Sequence, residues 1–390
     1  MRVLFSSTSD HGHVLPMVPL ARAFVAAGHE VLWATGAHAH HLVAGAGVRT
    51  APAGLTGAAL RAAKQALGAT ASTLAPQDRA AFMFPHMFGA TFAPAMLEDL
   101  LAIAEQWRPD LLVHEQAELA SPIVGAVLGR PSVTHSYGGA IPPESVAEAG
   151  ELLRGEWERH AQELPAYAGC FTSGYLDICP PSVQTVPTGH IEHAQPLRPL
   201  AGPRHEAADL PAYLEDDGRP LVYLTMGTVH AHTDALRTAV GAVSQLPVRL
   251  LVALGPHGDP ADLGRQPSHV HVEPWVDQPL VLQHCAVVAS HGGSGTFLGA
   301  LAHGVPQLCL PQAADQFRNA AGGARVGAIL ALAPGDATEE AVALGVGRLL
   351  AEDGFGQAAR RVAEEIGAMP SPDEVVASLR TAPTRAADAP

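Results

Sequence analysis

Lysine is almost missing from this chain. Among 390 residues there is one, Lys64, against 22 arginines, and it stands in Ala-Ala-Lys-Gln with no glycine-rich loop before it. A phosphate-binding P-loop needs Gly-Lys-[Ser/Thr], a protein kinase needs a strand lysine, and a pyridoxal-phosphate enzyme needs one for its Schiff base, so three enzyme classes drop out together. Positive charge is short overall: 23 basic residues face 38 acidic ones, a formal charge of −15. That balance disfavours nucleic acid and anionic membrane surfaces as partners. The four cysteines (Cys170, Cys179, Cys285, Cys309) include no Cys-x-x-Cys pair, which argues against a disulfide framework or a structural zinc and for a reducing compartment. No Asp-x-Asp triplet and no uninterrupted 18-residue apolar run occurs, and the first residues do not read as a signal peptide. The expectation is a cytoplasmic protein with no metal site and no stable membrane insertion.

What is present is length and alternation. The chain is long enough for two domains of ordinary size. Arg2–Ser6 reads as a strand, 15–27 as a helix closed by Gly28, and Glu30–Thr35 as a second strand, a βαβ opening. Strands at 111–114 and Ser132–His135 around a helix at 119–128 continue a parallel, doubly wound pattern. Residues 187–218 are dense in proline, glycine, histidine and acid and read as a linker. The pattern then restarts with strands at Leu221–Thr225, Arg249–Ala253, 270–272, 286–290 and 307–310, and helices at 233–245 and 296–303. Ser371-Pro372-Asp373-Glu374 supplies a capping box for a short helix over 375–380. The domains expected are therefore 1–200, 216–370 and a C-terminal helix and tail, 371–390.

The most informative stretch is Ser290-His291-Gly-Gly293-Ser294-Gly295-Thr296, a buried strand running through small residues straight into a helix. Backbone N–H groups at such a helix start converge on one point without Cβ obstruction and favour an anion such as phosphate. Gly293-x-Gly295 also resembles a nicotinamide dinucleotide fingerprint, with Asp315 22 residues on. Against that reading, Gly299 lies four residues after Gly295 where three are needed, and the next strand should end well before Asp315.

Trp275-Val276-Asp-Gln278, His291-Gly-Gly-Ser-Gly-Thr296, Gly304-Val-Pro-Gln307 and Asp315-Gln316-Phe-Arg-Asn319, taken in order and spacing, resemble the nucleotide-sugar signature of family 1 glycosyltransferases of the GT-B fold. Gly12-His13-Val-Leu-Pro16 and Ala27-Gly28-His29-Glu-Val31 resemble the same family, notably the bacterial enzymes that decorate antibiotics and other natural products. The resemblance implies two Rossmann-like doubly wound domains facing an interdomain cleft, the acceptor mostly on the N-terminal one and the donor mostly on the C-terminal one. It implies an inverting, metal-independent hexosyl transfer from a nucleoside diphosphate sugar to a hydroxyl of a small apolar acceptor, with the donor as co-substrate and no bound cofactor. A nucleotide-sugar epimerase on the same fold and a non-catalytic helper of a biosynthetic complex are the alternatives; a homodimer stays open.

By that resemblance Trp275 stacks on the nucleobase beside Val276 and Gln278. His291, Gly293, Ser294, Gly295 and Thr296 hold the diphosphate, Asp315 and Gln316 bind sugar hydroxyls, and Thr228 contacts phosphate or nucleotide. His13 is the catalytic base, with His11 its rival, and Glu115 stands where the family commonly has an aspartate that fixes the base. Where many uridine diphosphate users carry a glutamate, this chain has Gly299, which points to a dTDP-linked deoxysugar, whose ribose lacks the 2′-hydroxyl, over a UDP-linked one. Phe82, Phe84, Met87 and Phe88 form an aromatic and methionine cluster fit for an apolar acceptor wall. His38, His40 and His41 lack a completing ligand and read as surface residues.

Overall fold

The computed structural model describes residues 1–75, 79–199, 210–215, 217–227, 234–255 and 258–381. Two sheets, parallel at every pairing, organise them. The first holds β1 (Arg2–Ser6), β2 (Glu30–Thr35), β3 (Arg49–Pro52), β4 (Leu111–Glu115), β5 (Ser132–His135), β6 (Tyr175–Asp177) and β7 (Ala194–Pro196), in the order 3-2-1-4-5-6-7. The second holds β8 (Leu221–Thr225), β9 (Arg249–Ala253), β10 (Val270–Glu273), β11 (Cys285–Ser290), β12 (Gln307–Cys309) and β13 (Ile329–Ala331), in the order 10-9-8-11-12-13. Each order reverses direction once, between β1 and β4 and between β8 and β11. At such a switch point the loops leaving the two strands diverge to opposite faces and open a crevice outside the carboxyl ends.

Long strands buried on both faces read clearly from sequence, and β1, β2, β8 and β9 lie where the alternation places them. Short ones do not. β7 falls inside the stretch read as a linker: it is three residues at a sheet edge, ends in Pro196 and is partly exposed, so it carries no periodic signal. The expected helix over 15–27 is a 3₁₀ turn, Leu15–Met17, leading into a helix at Val18–Ala26, with Pro16 and Pro19 confined to first-turn positions where no N–H is needed.

Two compact units result. The first comprises Met1–Ile178, Val186–Leu197 and the segment from Pro370 onward; the second comprises Cys179–Thr185 and Arg198–Met369. The short excursion at 179–185 is held in the second unit by Arg325 Nη2, which donates to the carbonyls of Ser182 (2.8 Å) and Gln184 (2.9 Å), and by Glu365, which accepts from the Ser182 N–H (3.0 Å). One continuous helical run, Ala81–Trp107, is long and apolar enough to cross a membrane by length and composition. Its Met96, Leu97, Leu100 and Ala104 are buried in the core of the first unit.

Candidate active site

Strand β4 reads Leu-Leu-Val-His-Glu, apolar for three residues and polar at its carboxyl end, and all five are buried. Glu115 is its last residue and is fully buried, so its carboxylate must find partners. It finds them across the switch point. His13 Nδ1, on the short helix His11–Val14 that follows β1, lies 3.0 Å from Oε1. The Thr8 hydroxyl donates to the same oxygen (3.0 Å), and the Ala117 N–H donates to Oε2 (2.5 Å). Burial alone would raise the Glu115 carboxyl, but the His13 charge and hydrogen bond, the Ala117 N–H and the Thr8 hydroxyl outweigh it and hold the group below the usual carboxylate range. Tyr137, just past β5, and Phe88 pack against the imidazole with ring centroids 4.5 and 5.6 Å away. His11 turns instead toward His41, 6.1 Å between ring centroids. Of the two candidate histidines, His13 is thus the one joined to Glu115.

Thr8, Tyr137 and Asp10 belong to this group and escaped the sequence reading. The signal available was position: each lies within a few residues of the carboxyl end of a strand bordering or near the switch point.

The aromatic cluster divides. Phe84 and Phe88 are partly buried against the core of the first unit, Met87 is half-buried, and Phe82 stacks on His86 at 4.1 Å. Pro85–Phe92 is a π-helical stretch, an expanded turn often found at functional sites. A shallow hollow opens at the carboxyl ends of β1, β2 and β4, lined by Ser7, Asp10, Leu60, Phe92 and Met96 among others. None of Phe82, Phe84, Met87 or Phe88 lines it.

In the second unit the loops after β8 and β11 meet at the other switch point. Gly227 has φ +72°, and a Cβ there would sit 2.6 Å from Cε1 of His291; a Cβ on Gly293 would collide with the same ring. Two glycines thus clasp the imidazole, and each is required by close approach. The helix Ser294–Ala302 then begins at Gly293 with no side chain capping its first N–H groups, leaving a positive helix end at the turn. Gln278 Nε2 donates to the Thr296 hydroxyl (3.0 Å), so both residues share one place. Trp275 is 56% exposed, an unusual position for a large aromatic face, whereas the Val276 side chain is buried in the core.

Asp315 and Gln316 already hold the protein together. Asp315 Oδ2 accepts from the Ser294 hydroxyl (2.6 Å) and from Asn319 Nδ2 (3.0 Å), and Gln316 Oε1 accepts from the N–H groups of Gln312 (2.7 Å) and Ala313 (3.0 Å). Asn319 also donates to the Gly292 carbonyl (2.9 Å), tying the next helix to the glycine turn. Asp315 stands at the N-cap position of that helix without a side-chain capping bond and lies six residues beyond the end of β12, so it is not at the strand tip the dinucleotide fingerprint requires. Thr228 lies outside the described residues. Among the described residues no cluster of three or more His, Cys, Asp or Glu could hold a metal; His40 and His41 contact the backbone carbonyls of Thr35 and His38.

Comparison with known proteins finds relatives over the whole length of the chain. Residues 22–190 match the N-terminal domain, and residues 237–381 the C-terminal domain, of the family described as erythromycin biosynthesis protein CIII-like. The chain is 37% identical over 407 residues to the elloramycin glycosyltransferase ElmGT of Streptomyces olivaceus, covering all of both chains. Among solved structures, it resembles glycosyltransferase VinC in complex with dTDP (TM-score 0.80, 27% identity, 97% and 98% of the two chains). It also resembles the spinosyn rhamnosyltransferase SpnG complexed with thymidine diphosphate (TM-score 0.79, 30% identity, 97% and 100%).

Proposed function

We propose, from the premise that this chain belongs to the erythromycin biosynthesis protein CIII-like family of bacterial natural-product glycosyltransferases, that it moves a deoxysugar from thymidine diphosphate to an acceptor hydroxyl with inversion at the anomeric carbon. The fold is GT-B, and the activity is sugar transfer from a nucleotide-linked donor to a natural-product acceptor.

The observation that carries the mechanism is the contact between His13 Nδ1 and the buried Glu115 carboxylate. An ionised carboxylate there keeps the proton on Nδ1, so Nε2 is the nitrogen with a lone pair for an incoming hydroxyl, and the carboxylate stabilises the imidazolium once the proton has moved. The acceptor oxygen forms its bond to the anomeric carbon as the bond from that carbon to the diphosphate breaks. The hydroxyl proton passes to Nε2, and the single displacement inverts the centre. The departing diphosphate is met by the N–H groups at the start of the helix Ser294–Ala302, with His291 and the Thr296 hydroxyl beside them, an arrangement that stabilises developing negative charge without a metal. The hollow beside Asp10 has Leu60, Phe92 and Met96 in its wall, which places apolar surface near His13 for part of an acceptor. The enzyme works in the cytoplasm, where nucleotide sugars are made.

The choice of donor rests on two supports. Two structural relatives are described with thymidine diphosphate bound, and Gly299 offers no carboxylate for a ribose 2′-hydroxyl. Packing also favours a small residue there, since a Cβ on Gly299 would come within 3.2 Å of Leu282 Cδ1. A donor panel tested against a set of polyketide aglycones, with product mass and anomeric configuration read out, checks the assignment. Transfer from thymidine diphosphate deoxysugars with inverted configuration is expected; a clear preference for uridine diphosphate glucose, or retained configuration, would reject it.

A further inference from the structure

The lone lysine has a specific place. Lys64 lies on the helix Gly57–Ser72, and its Nζ donates to both carboxylate oxygens of Asp10, at 2.9 and 2.8 Å. Asp10 stands at the N-cap of the helix that carries His13, in extended conformation, yet its side chain makes no capping hydrogen bond. An aspartate at that position ordinarily turns onto the helix N–H groups. Here only its backbone serves the turn, the carbonyl accepting from the N–H of His13 (2.9 Å) and Val14 (3.1 Å), while the carboxylate is drawn off to Lys64. Leu60, one turn before Lys64 on the same helix, lines the hollow together with Asp10.

We propose that Lys64 is a positioning residue for His13: by pairing with Asp10 it neutralises the second carboxylate close to the imidazole, leaves Glu115 to set the basicity of the ring, and ties the helix 57–72 to the turn that carries it. The consequence for catalysis rests on the reading of His13 as the base; the electrostatic relation among the three residues does not. Against the imidazole lie Glu115 from β4, Tyr137 from the segment after β5 and Phe88 from the π-helical stretch, and the charge of Asp10 acts on it from its own turn. The groups facing Asp10 are Lys64, His13 and His38. Burial would raise the Asp10 carboxyl, but the charge and hydrogen bonds of Lys64, then the charges of His13 and His38, hold it below the usual range. Both partners are close to half exposed. Such a pair contributes little to stability, so its effect is sought in titration behaviour.

The test is an NMR titration of the full-length protein labelled in histidine, with the His13 resonance assigned by its loss in His13→Gln. Lys64→Met leaves an unpaired carboxylate beside the imidazole and should raise the His13 pKa by about half a unit or more. Asp10→Asn, which leaves the ammonium unpaired, should lower it. The double variant Lys64→Met/Asp10→Asn should return close to the parent value, as should Lys64→Arg, which keeps the charge. An unmoved His13 titration in Lys64→Met, or an equal shift in Lys64→Met and the double variant, overturns the proposal. The acid limb of the pH profile of kcat/KM, measured on the same variants, separates the two claims. A moved resonance with an unmoved limb leaves the Lys64 relation standing and removes His13 as the base.

Discussion

At the scale of single residues, the site is a problem of buried charge. His13 and Glu115 were legible because Gly12-His13 and the tip of the strand at 111–115 resemble the family's pattern, and the loop after a first strand faces the ligand crevice of an open sheet. Thr8 and Tyr137 were not, since a loop threonine or tyrosine has no signature until the chain folds around it. His13→Ala should lower turnover by about 10² to 10⁴-fold. Glu115→Gln keeps a hydrogen-bonding side chain but removes the charge that holds the proton on Nδ1, and should cost a similar order in kcat with little change in donor affinity. Steady-state kinetics paired with nucleotide titration reads both. The Glu115 carboxyl is held below its ordinary range, so its contribution to folding is complete above the unfolded carboxylate pKa and is lost as pH falls through the lower folded value. His135 works over a higher window. Buried beside Glu115 in the strand register, it is pushed down from 6.5 to about 4 by burial. Between those values the unfolded chain binds the proton and the folded one does not, so stability should fall as pH drops from about 6.5 toward 4, by up to about 3 kcal/mol. Denaturant unfolding at several pH values should show that slope, and His135→Asn should flatten it.

At the scale of elements, the glycine turn after β11 shows why small residues were visible in the sequence while their reasons were not. Gly293 was expected to let a phosphate approach. Its absent Cβ also leaves room for the imidazole of His291, which Gly227 from the loop after β8 clasps from its own side. Gly293→Ala should therefore weaken thymidine diphosphate binding by about tenfold or more through displacement of that ring. Calorimetric titration of a double-mutant cycle tests the cause: in a His291→Ala background, where the ring is gone, the same glycine substitution should cost much less. If the cost is unchanged, the glycine acts on the ligand directly and the clasp is irrelevant. Asp315 and Gln316 give a similar lesson. The sequence offered them as ligands for sugar hydroxyls, and the fold engages one oxygen of each in bracing the loops around them.

At the scale of the whole molecule, chain order and structural order part company near the end. The helix Pro372–Thr381 follows the second unit in sequence but belongs to the first, where Val375 and Val376 are buried and Gln195 Nε2 donates to the Ser378 hydroxyl (3.1 Å). Burial of the two valines stabilises the first unit by about 3 to 5 kcal/mol. Removal of the chain from residue 370 onward should thus loosen the first unit and leave the second intact. Hydrogen exchange would show it as faster exchange in β1, β2 and the helix Val18–Ala26, with β8 and β11 unchanged; equal loss of protection in both units would refute it. By itself the sequence determined the class of each half, because strands buried on both faces and helices between them leave a periodicity that local residues fully encode. It also determined the glycine turn after β11, because a strand running through glycine into a helix is a local arrangement. Only the tertiary structure decided which residues meet there. The join between His13 and Glu115, the clasp on His291, the capture of Asp10 by Lys64 and the home of the last helix are contacts between segments far apart in the chain. Such contacts are set by the order of strands in a sheet, which no local pattern carries.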